Sequence, residues 1–406
     1  MNEIERMIQE LCPDGVEFRK LGEIATIKGR IGFRGYTRKD LVEAHKGAIS
    51  LSPSNIQNGI LNLESCTYIS WAKYEESPEI MAEVGDIVFT KTASVGKTAL
   101  IKSLTEKATI NPQLVLLKEL KCDALYLTHV MQASSFQNEV RKITGIGSVP
   151  NVSQRALAEI KIPLPPIAEQ RRIAAILDKF TELEAELEAE LEARRKQYEY
   201  YRNKLLTFTP PDRQDLRWCT LVSVVDILYG YPFDSTKFSS DSHYPPLIRI
   251  RDVKPGRSVT FYSASYPDEY IIKKDDMLVG MDGEFNMGRW KDARFGLLNQ
   301  RVCKISSKDS EQASDNYLFH LLRPMFKNIE AEIKGGTVKH LSAKRINKIK
   351  IPLPPIAEQR RIAAILDKFE ALTNSLQDGL PAEIAARRQQ YEYYRDKLLT
   401  FPRKTA

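Results

Sequence analysis

From Pro166 onward, apolar residues recur every three or four positions: Ile173, Leu177, Phe180, Leu183, Leu187 and Leu191, then Tyr198, Tyr201 and Leu205. That period is helical. A second stripe runs through Ile362, Leu366, Phe369, Leu372, Leu376, Leu380 and Ile384, then Tyr391, Tyr394 and Leu398. A helix of about 40 residues spans roughly 60 Å, and an apolar stripe of that length calls for another helix beside it. Each stripe is led by Lys-Ile-Pro-Leu-Pro-Pro. Proline pushes its predecessor out of the α region, so this lead is extended. Pro166 and Pro355 stand where a first helical residue belongs, and Glu169 and Glu358 fall in the first turn, near the positive end of the helix dipole. Outside the stripes the apolar residues form short β-branched runs broken by Gly, Pro, Asn and Ser, the pattern of a mixed sheet with some helix.

The two stripes belong to a repeat. Residues 160–180 read IKIPLPPIAEQRRIAAILDKF, and residues 349–369 match them letter for letter. The match resumes at Ala193–Phe208 and Ala386–Phe401, both of which contain Gln-Tyr-Glu-Tyr-Tyr-Arg. Chance does not produce identity of this length, so the chain carries a duplication. The middles differ. The first contains Glu-Leu-Glu-Ala three times over residues 182–193. The second is four residues longer (370–385 against 181–192) and contains Gly379-Leu380-Pro381, which predicts a kink or restart in the second helix and a continuous rod in the first. The segments ahead of the arms are alike only in outline. Residues 50–59 lie on 247–256, 85–89 on 275–279, and Asn111 on Asn299, while Pro13-Asp14 echoes Pro211-Asp212. The chain therefore reads as an α+β protein with a pseudo-twofold circular order, opened at one point. Its parts are a first head (1–150), an arm (151–208), a second head (209–340) and a second arm (341–406).

Composition narrows the function classes. A net charge of +7 is a mild basic excess that makes nucleic acid plausible without proving it. The five cysteines form no C-x-x-C pair and the five histidines do not gather with them, which argues against zinc or a disulfide framework. No run approaches a membrane span, and Met1–Arg6 carries charges where a signal peptide needs apolar residues. A soluble cytoplasmic location is the expectation.

On the duplicated Ile-Pro-Leu-Pro-Pro-Ile-Ala-Glu-Gln-Arg-Arg-Ile-Ala-Ala-Ile-Leu-Asp-Lys-Phe, the Gln-Tyr-Glu-Tyr-Tyr-Arg endings and the four-residue repeats, the chain resembles the specificity subunits of type I restriction–modification enzymes, in the subgroup with tandem four-residue units in the central arm. The resemblance covers essentially the whole chain. It implies that each mixed α/β head is a target recognition domain for one half of a split DNA site, matching protein pseudo-symmetry to a two-part target. It implies that the two long helices pack antiparallel as a coiled-coil spacer, with the four-residue units as a ruler. It implies docking of two methylation subunits, and then restriction subunits, which carry adenine-N6 methylation and ATP-dependent cleavage. No cofactor is expected on this chain; S-adenosylmethionine, ATP and Mg would sit on those partners. The arm stripes supply the expected partner contacts: Ile173, Leu177, Phe180, Tyr198 and Tyr201, with Ile362, Leu366, Phe369, Tyr391 and Tyr394.

Phosphate contacts need cationic groups or free N–H groups, and base readout needs Arg, Lys, Asn or Gln. In the first head the candidates are Arg30 and Arg34, with Arg38 and Lys39 nearby, and the loop of Lys91, Thr92, Ser94 and Lys97. In the second head they are Arg249, Arg251 and Lys254, with Arg257, expected on one strand face or its following turn, and Asn286 and Arg289 in the counterpart of the 91–97 loop. A third pair of glycine-bearing loops precedes the arms, with Gly147 and Ser148 in one and Gly336, Thr337 and Lys339 in the other.

Catalytic signatures are missing. Val95-Gly96-Lys97-Thr98 ends like a phosphate loop, but Lys91 stands where its first glycine belongs. Asn111-Pro112-Gln113-Leu114 lacks the second proline and the aromatic of an adenine methyltransferase motif, and its match to Asn299 suggests a turn shared by both heads. Pro267-Asp268-Glu269 lacks the spaced acid and lysine of a nuclease, and the run from Glu182 to Glu192 reads as a solvated helix face. The competing readings are a scaffold or dimeric DNA-binding regulator without a methyltransferase partner, and a self-sufficient DNA enzyme.

Overall fold

The structure, a computed structural model, describes residues 15–30, 35–145, 147, 149–208, 216–333, 339–374 and 379–404. The chain divides into two compact units, Met1–Glu188 with Glu383–Ala406, and Ala189–Ala382. This differs from a linear succession of heads and arms. The first head closes its core with the chain's final helix, and the boundary falls inside the Glu-Leu-Glu-Ala run. The helix Ile167–Leu206 is one continuous element, as its pattern predicts, and it contributes its first half to one unit and its second half to the other. The second arm is broken. One helix covers Ile356–Asn374, and another starts at Leu380–Leu398 with Pro381 in its first turn, where proline's missing N–H costs nothing.

The two heads share a topology that their sequences barely advertise. In the first unit a four-stranded sheet orders Thr26–Gly29, Leu114–Lys118, Ile87–Thr90 and Thr98–Leu100. In the second, Val225–Tyr229, Val302–Ser307, Met277–Gly280 and Met287–Arg289 follow the same order. Beside each lies a second sheet containing one parallel pair, Ala48–Leu51 with Ala108–Ile110 and Leu247–Ile248 with Gly296–Leu298. The expected shared turn is present: Asn111 O accepts from Leu114 N at 3.1 Å, and Asn299 O from Val302 N at 3.3 Å. The proline-led leads form matching ladders, with Phe18 opposite Pro163 and Trp218 opposite Pro352. Within the first unit the beginning and end of the chain meet. Val16 N donates to Pro402 O at 2.9 Å, and Lys404 N to Val16 O at 3.0 Å.

Each head completes its core with arm helices. In the first unit, Tyr126, Leu127, Val130 and Met131 of the head helix Ala124–Gln132 pack with Ile173, Leu177, Tyr391 and Leu398. In the second, Tyr317, Leu318, Leu321 and Leu322 of Asp315–Glu332 pack with Tyr198, Ile362 and Leu366. The arm segments run antiparallel within the first unit, where Phe180 meets Tyr394 (ring centroids 5.7 Å apart) and Glu184 pairs with Arg388. Glu184 is therefore a buried ion-pair partner, not part of a wholly solvated face.

The repeated Ala-Glu-Gln locks each head helix to its arm. Gln170 donates to Pro165 O at 2.7 Å and accepts from Asp123 N at 2.9 Å. Gln359 donates to Pro354 O at 2.7 Å and Gln312 O at 2.9 Å, and accepts from Ser314 N at 2.9 Å. The amide offers an NH2 donor with two hydrogens and a carbonyl acceptor together, and both glutamines are buried. Replacing Gln359 with Leu strands these backbone groups, so Gln359→Leu is expected to lower the stability of the second unit by about 1–3 kcal/mol. Urea unfolding monitored by the fluorescence of Trp290, buried in that unit, checks it.

Candidate nucleic-acid interface

Two of the loop pairs singled out in the sequence are brought together. In the first head, residues 91–93 pack against residues 150–152. Thr92 Oγ1 donates to Asn151 Oδ1 at 2.9 Å, Ala93 N to Pro150 O at 2.9 Å, and Val152 N to Lys91 O at 2.8 Å. Ala93 is held at φ +64°, a region that favours glycine, so the loop's shape is imposed by these contacts. The counterpart in the second head joins residues 281–284 to residues 339–341. Gly283 N donates to Lys339 O at 2.8 Å and Leu341 N to Met281 O at 2.7 Å. The two platforms occupy the same place in the topology but differ in chemistry. The first displays Lys91, Thr92 and Ser94. The second carries Asp282, bonded to His340 and, at 3.1 Å, to Arg301, while Glu284 accepts from Asn286 at 2.6 Å. Gly147 is exposed beside the first platform, and Lys339 is half-buried in the second.

Other expected contacts are put to different uses. Arg30 is buried at 5% exposure, donating to Ile110 O at 3.2 Å and Thr109 Oγ1 at 3.3 Å, with burial pushing its guanidinium below its ordinary pKa. It holds the sheet together and is not a surface cation. Lys97 reaches the carbonyls of Pro53 (3.3 Å) and Ile56 (3.5 Å), so it serves as a loop brace and not as a phosphate-loop lysine. Arg289 lies over Phe319 at 4.5 Å and donates to Asn316 at 3.1 Å, pinned to the head helix. The basic run at Arg249 does not lie on one strand face, because Ile250–Val253 forms a helical turn nucleated by Asp252 accepting from Arg249 N at 3.0 Å. Arg249 covers Phe238, Arg251 donates to Thr260 at 2.8 Å, and Lys254 and Arg257 stay exposed. Arg34, Ser148, Gly336 and Thr337 lie outside the described residues.

The expected partner contacts are largely consumed by the fold. Ile173, Leu177, Tyr198, Ile362, Leu366 and Tyr391 are buried within the two cores. Phe180 faces Tyr394, and Phe369 stacks on Tyr201 at 5.6 Å, the same contact in each unit. A half-buried apolar stripe is satisfied by the nearest apolar surface, here the chain's own head. Exposed instead are Tyr200 (60%) and Tyr393 (53%), equivalent residues in the two Tyr-Tyr endings, each with a lysine over its ring, Lys204 and Lys397.

A repeated pair of histidines escaped the sequence reading. Tyr126-Leu-Thr-His129 and Tyr317-Leu-Phe-His320 occupy equivalent head helices, and aligning the heads on their final helices would have exposed the shared Tyr-Leu-x-His. His129 Nδ1 lies 2.9 Å from Tyr391 Oη, and His320 Nδ1 lies 3.4 Å from Tyr198 Oη. Ligand atoms of His320, Asp367 and Glu370 gather within 4.8 Å. They are already satisfied: Asp367 bonds His320 and Asn316, and Glu370 bonds Arg323.

Burial pushes the His129 pKa down to about 4. Between pH 6.5 and 4 the unfolded chain then binds a proton that the folded chain does not, so stability falls as pH drops through that window, by up to about 3 kcal/mol. His129→Gln should flatten this slope, read as urea midpoints of the two proteins from pH 7 to 4.5.

Residues 13–193 and 220–386 match the family profile described as "Type I restriction modification DNA specificity domain". The chain is 40% identical over 153 residues to the type I restriction enzyme EcoBI specificity subunit of Escherichia coli, covering 38% of this chain and 32% of that one. It is 34% identical over 273 residues to the EcoR124I/EcoR124II specificity subunit of the same organism, covering 63% and 65%. The matched stretches thus span about a third and just under two thirds of those relatives. Among solved structures, an S subunit of a type I restriction-modification system from M. genitalium aligns over 95% of this chain and 96% of its own with TM-score 0.57. A chain from work on assembly and conformational transition of the type I R-M system gives 0.59 over 95% and 97%. At 15% and 16% identity these likenesses concern the fold. By its two matched segments, which cover most of its length, the chain belongs to the type I restriction–modification DNA specificity family.

Proposed function

We propose that the protein reads a two-part DNA site, one head per half-site, as the non-catalytic specificity subunit of a type I restriction–modification complex. In this role it docks two methylation subunits, joined by restriction subunits, through its repeated arms. S-adenosylmethionine, ATP and Mg belong to those partners. The observation that carries this reading is the contrast between paired features. Topologically equivalent loop platforms differ in chemistry, one presenting Lys91 and Thr92 and the other Asp282 and His340, as two different half-sites require. Exposed arm residues are instead identical in the two copies, including Arg172 and Arg361, Lys179 and Lys368, and Tyr200 and Tyr393. Exposed positions rarely matter to stability, so their identity points to a repeated outside partner. Coexpression with an adenine methyltransferase subunit and mapping of methylated adenines tests the function. Methylation confined to a two-part site is expected, and methylation without sequence preference contradicts it.

Tyrosine is favoured at interface centres. Tyr200→Ala combined with Tyr393→Ala is expected to weaken capture of the methyltransferase subunit by tenfold or more (about 1.4 kcal/mol) while leaving thermal stability unchanged. Calorimetric titration and melting curves check this.

The Glu-Leu-Glu-Ala run acts as a ruler in this reading. It straddles the boundary between the units, which suits a spacer between two readers. One more unit after Ala193 adds about 6 Å and a rotation of about 40° to the helix. The expected result is a longer DNA spacer between unchanged half-sites, and long-read methylome mapping of the variant is the measurement.

A further inference from the structure

Equivalent corners of the two units are filled differently. In the second unit the corner between Asp315–Glu332 and Ile356–Asn374 is packed with charge. His320 Nε2 lies 2.8 Å from Asp367, and Arg323 bonds Glu370 at 2.7 Å. The corresponding residues of the first unit are His129, Asp178, Gln132 and Thr181. Gln132 for Arg323 and Thr181 for Glu370 remove length and charge, and Asp178 turns to Lys102 at 2.9 Å. A cavity of about 260 Å³ results, walled by Leu61, Leu63, Leu100 and Leu125 and edged by His129 and Asp178. His129 is 3% exposed, and its Nε2 has no hydrogen-bond partner among the described residues.

The proton on His129 is placed by its neighbours. Gln132 Nε2 donates to Thr98 O at 3.3 Å and Gly59 O at 3.4 Å, which turns its Oε1 toward Tyr391. The Tyr391 hydroxyl donates to that oxygen at 3.0 Å. Its own oxygen is left to accept, so the contact at 2.9 Å requires the proton on His129 Nδ1. Burial keeps the ring neutral, and Nε2 is then a bare acceptor on the ring edge away from Tyr391. In the second unit that edge meets the aspartate; here Nε2 has no partner among the described residues, and His129 lines the cavity. Thr128 and Thr181 also line the cavity, and both spend their hydroxyl protons on backbone carbonyls, of Ala124 and Asp178, at 2.8 Å. Among the other polar groups of the lining, Lys102 donates to Asp178 and Asn58 to Glu188, while Ser103 adds a hydroxyl at the edge.

We propose that this cavity is a binding site for a small aromatic molecule with one O–H or N–H donor, of the phenol or indole class. Its ring lies among the leucines and its donor bonds His129 Nε2. A single water, at about 30 Å³, would satisfy Nε2 but leave the leucine-walled space unfilled. Such a ligand would join the first head to its arm, since Leu61, Leu100 and His129 come from the head and Asp178 and Thr181 from the helix Ile167–Leu206.

Phenol and indole are the probes, with toluene as the ring without a donor, each titrated into the full-length protein. The melting temperature and the imidazole nitrogen resonances of His129 are recorded. Phenol or indole should raise the melting temperature, move the Nε2 resonance upfield as its lone pair accepts a proton, and bind about tenfold more tightly than toluene. The double exchange Gln132→Arg with Thr181→Glu installs the second unit's ion pair and should abolish binding. Should the exchange prevent folding, the donor comparison and the Nε2 signal of the unaltered protein still decide. Equal binding of toluene, an unmoved Nε2 resonance, no binding at concentrations up to about 5 mM, or binding that survives the exchange in a folded protein overturns the proposal.

Discussion

Each head presents one helix that its own sheet cannot cover, and every other feature follows from how that helix is buried. The helices Ala124–Gln132 and Asp315–Glu332 bring large apolar residues to one side of their sheets, and arm helices cover the other side. Apolar burial supplies the driving force, which is non-directional. Direction comes from Gln170 and Gln359, whose amides tie the N-terminus of each head helix to the proline turn opening the arm. The arms are therefore part of the globular structure, because the heads need them as walls.

That constraint explains why the duplicated segment is strict in some places and free in others. The residues after each proline lead meet a demanding environment, a buried amide with donor and acceptor both used and apolar side chains wedged against the head. The same holds for the endings, where Tyr391 and Tyr198 meet a buried histidine. Beyond Glu184, paired with Arg388, and Glu370, paired with Arg323, the middle of each arm makes few such contacts, so it can be a regular four-residue run in one copy and a broken, longer segment in the other. Length can vary there without disturbing the head–arm contacts made by the repeated ends.

Much of the architecture was legible. Helical period, proline leads and letter-for-letter repetition located both arms and the break before Pro381, since these signals are local. The shared turn at Asn111 and Asn299 was also readable. The assignment of surfaces was not. Ile173, Leu177 and Tyr198 form a stripe that demands a partner, but a stripe does not say whose apolar surface covers it. The chain's own head is nearest, which leaves Tyr200 and Tyr393 outside. Arg30 and Arg289 read as surface cations because spacing does not reveal that carbonyls and an aromatic ring wait above them.

By itself, then, the sequence determined the duplication, the arm helices, the α+β class and the family, because each rests on residues adjacent in the chain or repeated along it. Tertiary structure decided the rest. It joined residues 383–404 to the first head, set residues 91–93 against 150–152, and filled one head–arm corner with Arg323 and Glu370 while leaving its twin open beside His129. These outcomes depend on contacts between segments tens to hundreds of residues apart, where side-chain volume and the pairing of buried polar groups choose the partner. The proline-led repeat thus specifies the same wall twice, and the differing residues of each head decide what that wall encloses.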